Sequence, residues 1–255
     1  IDFRHGPVSS GITELDALCG GGLDRGTTTL ILGQAGTGKS TLALQYAVQM
    51  ADQGERSMIF TFDETRSVML SRAKALGFKL EKAIESGTIT VQQVDPSELS
   101  PGEFAVRILR GVEAGCKLVA IDSLNGYLNA MPGEKYLNNQ LHELCTCLNQ
   151  QGVVTILVLA QHGLAAVAEA PVDLSYLSDT VINLRYFEAY GKVKQAVTVV
   201  KKRSGAHEKS IREFKLMSGK GIVIGEPLKE FQGVLTGVPV YFFWRNANQT
   251  RSGTG

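Results

Sequence analysis

Apolar runs alternate with amphipathic stretches through the first two thirds of the chain. Several runs are apolar at every position, as in strands that are buried on both faces. The predicted strands are residues 27–32, 57–62, 88–94, 118–121 and 153–160. Helical periodicity predicts helices over residues 41–50, 65–76, 104–114 and 136–149. This alternation predicts an α/β fold, with a mostly parallel central sheet and helices on both faces.

The last third of the chain has a different pattern. Its predicted strands follow one another with glycine-containing turns between them, at residues 180–185, 195–201, 211–217 and 221–224. Short turns join antiparallel strands, so this part predicts an antiparallel C-terminal extension of the same sheet. We expect one domain over residues 1–225, then a C-terminal extension or the start of a linker over 226–255. Because the chain begins with Ile1, we expect it to be one half of a longer tandem protein.

Composition narrows the functional classes. The chain has 26 basic and 25 acidic residues, a balance that argues against a protein that coats nucleic acid. The chain shows no signal-peptide pattern and no apolar run of about 18 residues, so we expect no membrane span and a cytoplasmic location. The cysteines fit this expectation because their spacing suits neither a disulfide framework nor a zinc site; they are Cys19, Cys116, Cys145 and Cys147.

A complete phosphate-binding loop, G-x-x-x-x-G-K-S, spans residues 33–40 between the first predicted strand and the first predicted helix. Its glycines allow backbone N–H groups to surround a phosphate, and the helix N-terminus faces the same group. Lys39 is expected to reach the β- and γ-phosphate oxygens, and the Ser40 hydroxyl to bind Mg²⁺. The loop therefore predicts a nucleotide-binding site.

Polar residues end three further predicted strands. Asp122 follows four apolar residues, as expected for an acid that holds Mg²⁺ in phosphoryl transfer. Asp63 and Glu64 can orient a nucleophile and accept its proton, or alternatively serve as the N-cap and first-turn acid of the next helix. Gln161 is either a sensor of the γ-phosphate or a loop amide. Strands of a parallel sheet present functional residues at their C-terminal ends, so these side chains are expected to converge.

A basic cluster, Lys201-Lys202-Arg203, ends a late strand, and His207 follows a turn at Gly205. One interpretation is a solvated hairpin tip. The other is a set of residues that reaches the site of a neighbouring subunit in an oligomeric ATPase. An arginine supplied in this way is worth roughly 10³–10⁵ in rate.

Further motifs accompany these residues in a fixed order. They are VSSG at 8–11, LD at 15–16, CGGG at 19–22, IDSL at 121–124, KKR at 201–203 and IREF at 211–214. Together they resemble the KaiC family of the RecA/DnaB superfamily, and specifically the second half of its tandem circadian clock proteins. The resemblance covers residues 7–224, and the tail is similar to bacterial homologues outside the central clock group.

The resemblance implies a RecA-like P-loop fold and a hexameric ring with ATP and Mg²⁺ at subunit interfaces. The positions that it assigns to ATP are Gly36, Thr37, Gly38, Lys39, Ser40, Thr41, Asp63, Lys201, Lys202, Arg203, Gly205, His207 and Lys209. It assigns Mg²⁺ to Ser40 and Asp122, partly through water. The implied catalytic residues are Lys39, Asp63, Glu64 and Arg203. Asp63 replaces the first of the family's paired glutamates, so Glu64 is the preferred general base.

The resemblance also implies Ser/Thr autokinase and autophosphatase activity. The family's second half modifies an adjacent Ser-Thr pair, which aligns here with Ser175 and Tyr176. Ser175 is then the phosphorylation site and Tyr176 a packing residue; alternatively, Ser175 is an ordinary loop serine. The implied role is a clock-like or signalling switch, with a KaiB-like or two-component signalling partner.

Two other functions stay open. A DNA-dependent recombinase or helicase of the same superfamily would need basic loops that face DNA. Residues 126–140 contain one Lys, and residues 163–175 contain neither Lys nor Arg, which argues against nucleic-acid binding. A non-enzymatic ATP-gated signalling scaffold would use the same residues as an ATPase, so the motifs do not separate these two.

Overall fold

Strands and helices alternate along most of the chain. The computed structural model describes residues 6–95, 100–130, 136–161, 174–234 and 240–241. The strands are β1 (Pro7–Val8), β2 (Leu23–Asp24), β3 (Thr28–Gln34), β4 (Arg56–Thr61), β5 (Ile89–Gln93), β6 (Cys116–Asp122), β7 (Val154–Gln161), β8 (Thr180–Ala189), β9 (Lys192–Lys202), β10 (Arg212–Met217), β11 (Gly221–Pro227), β12 (Phe231–Gln232) and β13 (Val240–Tyr241). The helices are α1 (Thr13–Leu18), α2 (Lys39–Asp52), α3 (Arg66–Leu76), α4 (Leu80–Glu85), α5 (Pro101–Glu113), α6 (Leu124–Ala130) and α7 (Leu137–Gln150), with a 3-10 turn at Leu174–Leu177.

The central sheet has nine strands in the order β11-β10-β9-β8-β3-β7-β6-β4-β5. The strands from β8 to β5 in this order are parallel to their neighbours. β9, β10 and β11 join antiparallel at the β8 edge. The predicted α/β class, the mostly parallel sheet and its antiparallel C-terminal extension are therefore confirmed.

Two apolar cores lie on opposite faces of this sheet. On one face, Ile31 and Ala120 of the sheet pack in one cluster with Leu42 of α2. On the other face, Ile121 packs in a second cluster with Phe104 of α5. Successive strand residues point to opposite faces, so the parallel strands are apolar at every position because helices cover both faces.

The predicted elements are confirmed with shifted ends, and three short helices were missed. α5 begins at residue 101 rather than 104 because Ser100 and Glu103 form a capping box, with Pro101 in the first turn. The missed helices are α1, α4 and α6, which have six or seven residues each. Helices of this length span too few turns to show a clear apolar period.

The predicted domain boundary at residue 225 falls inside β11, which continues to Pro227. Beyond it, the two-residue strands β12 and β13 pair antiparallel. The division into residues 1–225 and 226–255 stays a prediction. Among the residues described, no helix has the length and apolar character needed to cross a membrane.

Candidate nucleotide site

The phosphate-binding loop connects the end of β3 to the start of α2. Gly36 and Gly38 have φ values of +79° and +100°, which favour glycine. A Cβ on Gly38 would lie 2.7 Å from the ring of Phe214 and would therefore clash. The loop backbone thus takes a shape that other residues rarely adopt, and it leads into the N-terminus of a 14-residue helix.

Lys39, the first residue of α2, folds back across this loop. Its Nζ donates a 2.6 Å hydrogen bond to the carbonyl oxygen of Gln34, and the Thr37 hydroxyl donates to the same oxygen at 2.8 Å. Burial lowers the pKa of Lys39, and the negative charge of Asp122 opposes this shift. The cation is held within the loop by contacts that a phosphate oxygen can replace.

Asp122 is the last residue of β6, and Thr61 of β4 is its neighbour in the sheet. Its carboxylate is buried, and it accepts a hydrogen bond from the Ser40 hydroxyl. Burial raises the pKa of Asp122, while Ser40 lowers it. Hydroxyl and carboxylate oxygens are ligands that Mg²⁺ prefers, so the Ser40–Asp122 pair fits this ion. Within the described residues, there is no group of three His, Cys, Asp or Glu that could hold a metal on its own.

Asp63 and Glu64 lie between β4 and α3. The helix begins at Arg66 with Thr65 as its N-cap, so the alternative that these acids cap the helix is wrong. Asp63 accepts a short hydrogen bond from the Ser123 hydroxyl. Glu64 Oε1 accepts a 2.7 Å hydrogen bond from Nη1 of Arg72. The two acids therefore have different environments.

The environment of Glu64 raises its pKa. Burial is the largest cause, Arg72 opposes it, and the nearby charge of Asp122 adds to it. A carboxylate with a raised pKa accepts a proton more readily than a free glutamate near neutral pH. This agrees with the expectation that Glu64 is the general base.

These groups line one cleft of about 420 Å³. Sequence-predicted residues in its wall are Gly36, Lys39, Ser40, Asp63, Glu64 and Asp122. Thr37, Gly38 and Thr41 belong to the adjacent loop and the first turn of α2. The predicted convergence therefore occurs in the structure for Asp63, Glu64 and Asp122, whereas Gln161 is not part of the cleft wall. The roles of the individual residues stay predictions.

Two side chains of this region were not predicted from the sequence. Arg72 lines the cleft with Thr65 and Val68, and their spacing of three and four residues places them on one face of α3. A helical projection of this segment could have found it. Asn125 holds the end of β7 by hydrogen bonds of 2.7 and 3.1 Å with the backbone of Ala160. Gln161 follows directly and pairs in register with Gln34.

The basic cluster, here called the basic tip (Lys201, Lys202 and Arg203), lies at the other end of the sheet. Lys202 pairs with Thr180 at the start of β8, and Thr180 pairs with Thr29 near the start of β3. Gly33 is four residues further along β3, about 13 Å away at roughly 3.3 Å per residue. The structure therefore does not bring the basic tip to the phosphate loop of its own chain.

Lys202 is tied into its own chain. Its side chain is only 3% exposed and forms an ion pair of 3.1 Å with Asp24. Its Nζ also donates to the carbonyl oxygens of Cys19 and Gly22 at 2.5 and 3.2 Å. Lys202 thus has an intrachain role that was not foreseen, and its contact with a nucleotide stays a prediction.

Lys201 and Arg203 contact the segment before β8. Lys201 Nζ donates to the carbonyl oxygen of Ser178 at 2.8 Å. Arg203, with its side chain 53% exposed, lies 3.6 Å from the Asp179 carboxylate and donates to the carbonyl oxygen of Tyr176. Gly205, His207 and Lys209 follow in the connection to β10 and are exposed or half-buried.

Ser175 is part of the 3-10 turn Leu174–Leu177, but its side chain lies outside the described residues. Tyr176 is exposed and its ring stacks on His142, with centroids 6.2 Å apart. Residues 131–135 and 163–173, which belong to the two segments considered as DNA-binding loops, also lie outside the described residues. The absence of DNA-binding loops in these segments therefore stays a prediction.

The sequence model of the KaiC ATPase family matches residues 8–229. This match covers most of the chain, including the cleft and the basic tip. The chain belongs to the KaiC ATPase family. The predicted resemblance is thus confirmed, and with it a RecA-like P-loop domain of a family that binds and hydrolyses ATP.

Individual relatives agree with the family match. The chain is 30% identical over 239 residues to circadian clock protein KaiC3 of Synechocystis sp., and the aligned region covers 92% of this chain and 46% of that protein. It is 28% identical over 236 residues to circadian clock oscillator protein KaiC of Thermosynechococcus vestitus, covering 91% and 45%. For KaiC of Synechococcus elongatus the identity is 29%, with the same coverage of 91% and 45%. The chain spans slightly less than half the length of these curated relatives.

The raised pKa values of Asp122 and Glu64 predict where activity falls at low pH. If Asp122 binds Mg²⁺ and Glu64 is the base, as predicted, hydrolysis needs both carboxylates ionised, and a raised pKa keeps a carboxyl protonated up to a higher pH. Lys39 and Arg72 limit the shift at Asp122, and Asp63 adds to it. We expect the acid limb of kcat/KM for ATP hydrolysis to lie above about pH 4, the range of free carboxyls. A pH–rate profile checks this, and an acid limb at about pH 4 would contradict it.

Proposed function

We propose that this chain forms an ATP-hydrolysing ring with serine autokinase and autophosphatase activity, and that it acts as a clock-like or signalling switch. The cleft at the phosphate loop carries this proposal, because it gathers Lys39, Ser40, Glu64 and Asp122 in one wall. The names of its relatives as circadian clock proteins support the regulatory role.

Each group in the cleft has a proposed task. Backbone N–H groups at Gly36, Thr37 and Gly38 hold the phosphates, and Lys39 moves from the Gln34 carbonyl to the β- and γ-phosphate oxygens. Ser40 and Asp122, partly through water, would hold Mg²⁺, which would neutralise charge on the phosphate oxygens.

Glu64 acts as the base in the transfer step. Its carboxylate accepts the proton of a water molecule or of the Ser175 hydroxyl. The oxygen of this nucleophile forms a bond to the γ-phosphorus while the bond from the γ-phosphorus to the ADP oxygen breaks. Asp63, which accepts a hydrogen bond from Ser123, is proposed to support this step indirectly, because Asp63 is exposed whereas Glu64 is half-buried.

The second half of the site is proposed to come from a neighbouring subunit. The basic tip lies about 13 Å along the strand direction from its own phosphate loop, so Lys201 and Arg203 cannot serve that loop. A head-to-tail ring, proposed as a hexamer, would place them at the next subunit's ATP. The remaining predicted contacts, at Lys202, Gly205, His207 and Lys209, lie on the same stretch.

We propose further that residues 1–225 are one ATPase half of a longer tandem protein. The chain's coverage of about 45% of its relatives supports this. A KaiB-like protein or a two-component signalling protein is the proposed partner of the assembled ring.

One assay tests the enzymatic and the kinase parts together. The wild-type protein, incubated with Mg²⁺ and ATP, is expected to release phosphate and to gain one phosphate by intact-mass spectrometry. Ser175→Ala should still release phosphate but gain none, because only the acceptor hydroxyl is lost, and Tyr176→Phe is the matched control that should behave as wild type. Equal phosphate uptake by Ser175→Ala and wild type would refute Ser175 as the acceptor. Tight ATP binding without turnover would instead favour a nucleotide-gated scaffold.

A further inference from the structure

The ion pair between Glu64 and Arg72 leaves polar atoms without partners. Nη1 of Arg72 donates to Glu64 Oε1 at 2.7 Å. Three further atoms of this pair are buried: Nε and Nη2 of Arg72, and Oε2 of Glu64. Within the described part of the chain, none of the three has a hydrogen-bond partner. Buried polar atoms are nearly always hydrogen-bonded in proteins, so such a concentration in one pair calls for an explanation.

The unpartnered edge of Arg72 has a specific geometry. Nε and Nη2 carry parallel N–H bonds on one side of the guanidinium, which fit two oxygens of the same phosphate or carboxylate. Arg72 lies in the wall of the cleft, together with Lys39 and Ser40 of the phosphate loop. The oxyanion that this cleft is proposed to receive is the terminal phosphate of ATP.

The position of Arg72 also affects Glu64. The hydrogen bond from Nη1 occupies Oε1 of the carboxylate that is proposed to act as the base. While this pair persists, Oε1 of Glu64 is hydrogen-bonded to a cation, and Oε2 is buried without a hydrogen-bond donor among the described residues. Glu64 is therefore less available to a nucleophile than an unpaired carboxylate would be.

We propose that Arg72 senses the terminal phosphate of ATP bound to its own subunit. When a triphosphate enters, the Nε–Nη2 edge turns onto the γ-phosphate oxygens and Nη1 releases Oε1 of Glu64. The freed carboxylate then faces the nucleophile only when a γ-phosphate is present. This inference rests on the proposed ATPase function and adds a positioning and specificity residue on the same subunit as the phosphate loop.

Discrimination between triphosphate and diphosphate tests the proposal. Calorimetric titration compares Mg²⁺–adenylyl imidodiphosphate with Mg²⁺–ADP on the wild-type protein, Arg72→Gln, Arg72→Lys and Lys74→Gln. Lys74 lies on the same helix but is exposed, so Lys74→Gln removes one charge away from the cleft. Arg72→Gln is expected to lower the affinity for the triphosphate analogue by about 10-fold or more, the effect of losing a charge-assisted hydrogen bond. The affinity for ADP should fall by about 2-fold at most. Arg72→Lys keeps the charge but lacks the parallel N–H pair, so its affinity for the triphosphate analogue should fall several-fold, with no comparable loss of affinity for ADP.

Equal weakening of both nucleotides by Arg72→Gln, or no weakening, overturns the inference. If Arg72→Gln is unfolded by circular dichroism, Arg72→Lys decides in its place, and full triphosphate preference in that variant is the contrary result. Absence of nucleotide binding by the wild-type protein would refute the proposed function instead. If the wild-type protein binds and hydrolyses ATP, and Arg72→Gln binds both nucleotides as Lys74→Gln does, only the role of Arg72 is refuted.

Discussion

Lys39→Ala is expected to weaken the binding of Mg²⁺–ATP by at least about 100-fold and to abolish measurable hydrolysis, because a preorganised cation of this kind contributes several kcal/mol. In the structure, Lys39 is part of the loop that would hold the phosphates, and its buried Nζ donates to the carbonyl oxygen of Gln34 within that loop. Alanine leaves no group that can take over this position. Titration with Mg²⁺–ATP and phosphate release measure the two effects, with Lys74→Gln as the control.

The same variant tests whether ATP holds the subunits together. If the nucleotide bridges the phosphate loop of one subunit and the basic tip of the next, Lys39→Ala should stay monomeric in Mg²⁺–ATP, as measured by light scattering. A hexamer that persists in nucleotide-free Lys39→Ala protein would contradict a bridging role, even if binding is lost as expected.

Much of the cleft could be predicted because its residues follow strands. Apolar runs place the ends of β3, β4 and β6, and parallel strands end at one edge of the sheet. The pairing of Thr61 with Asp122 then brings the segment with Glu64 beside Asp122. The phosphate loop needs no tertiary information at all, since its glycines and Lys39 are consecutive in the chain.

Side-chain partners were harder to predict because they depend on tertiary contacts. Arg72 follows Glu64 by eight residues, and only the direction in which α3 leaves the sheet returns it to that carboxylate. Asn125 acts on β7 from α6, a helix too short to be recognised by its periodicity. In both cases the residue is visible in the sequence, but which residue it bonds to is decided by the fold.

The basic tip shows an intermediate case. Its three cations are consecutive and look equivalent in the sequence, but alternate residues of a strand point to opposite faces. Lys202 accordingly bonds to Cys19 and Asp24 on one side, whereas Lys201 and Arg203 contact the segment before β8. Strand alternation therefore separates Lys202, which has a structural role, from Lys201, and Arg203 lies just beyond the end of β9.

Arg203→Ala is expected to lower kcat for ATP hydrolysis by roughly 10³–10⁵, the effect of losing an arginine that stabilises charge on the transferred phosphoryl group. Binding of Mg²⁺–ATP should change much less, because the phosphate loop is intact. The half-exposed side chain forms an ion pair with Asp179 and a hydrogen bond to the carbonyl oxygen of Tyr176, so its loss should leave the fold in place. Phosphate release and thermal unfolding measure these effects.

A mixing experiment separates action on the neighbour from action on the same subunit. Glu64→Gln lacks the proposed base but keeps Arg203, whereas Arg203→Ala keeps the base but lacks the arginine. In a ring assembled from equal amounts of both, about a quarter of the interfaces join an intact Glu64 to a neighbour's intact Arg203, as head-to-tail contacts require. Activity should therefore return to about a quarter of the wild-type level, although each variant alone is nearly inactive. If the mixture is no more active than its separate components, Arg203 does not complete the site of the adjacent subunit.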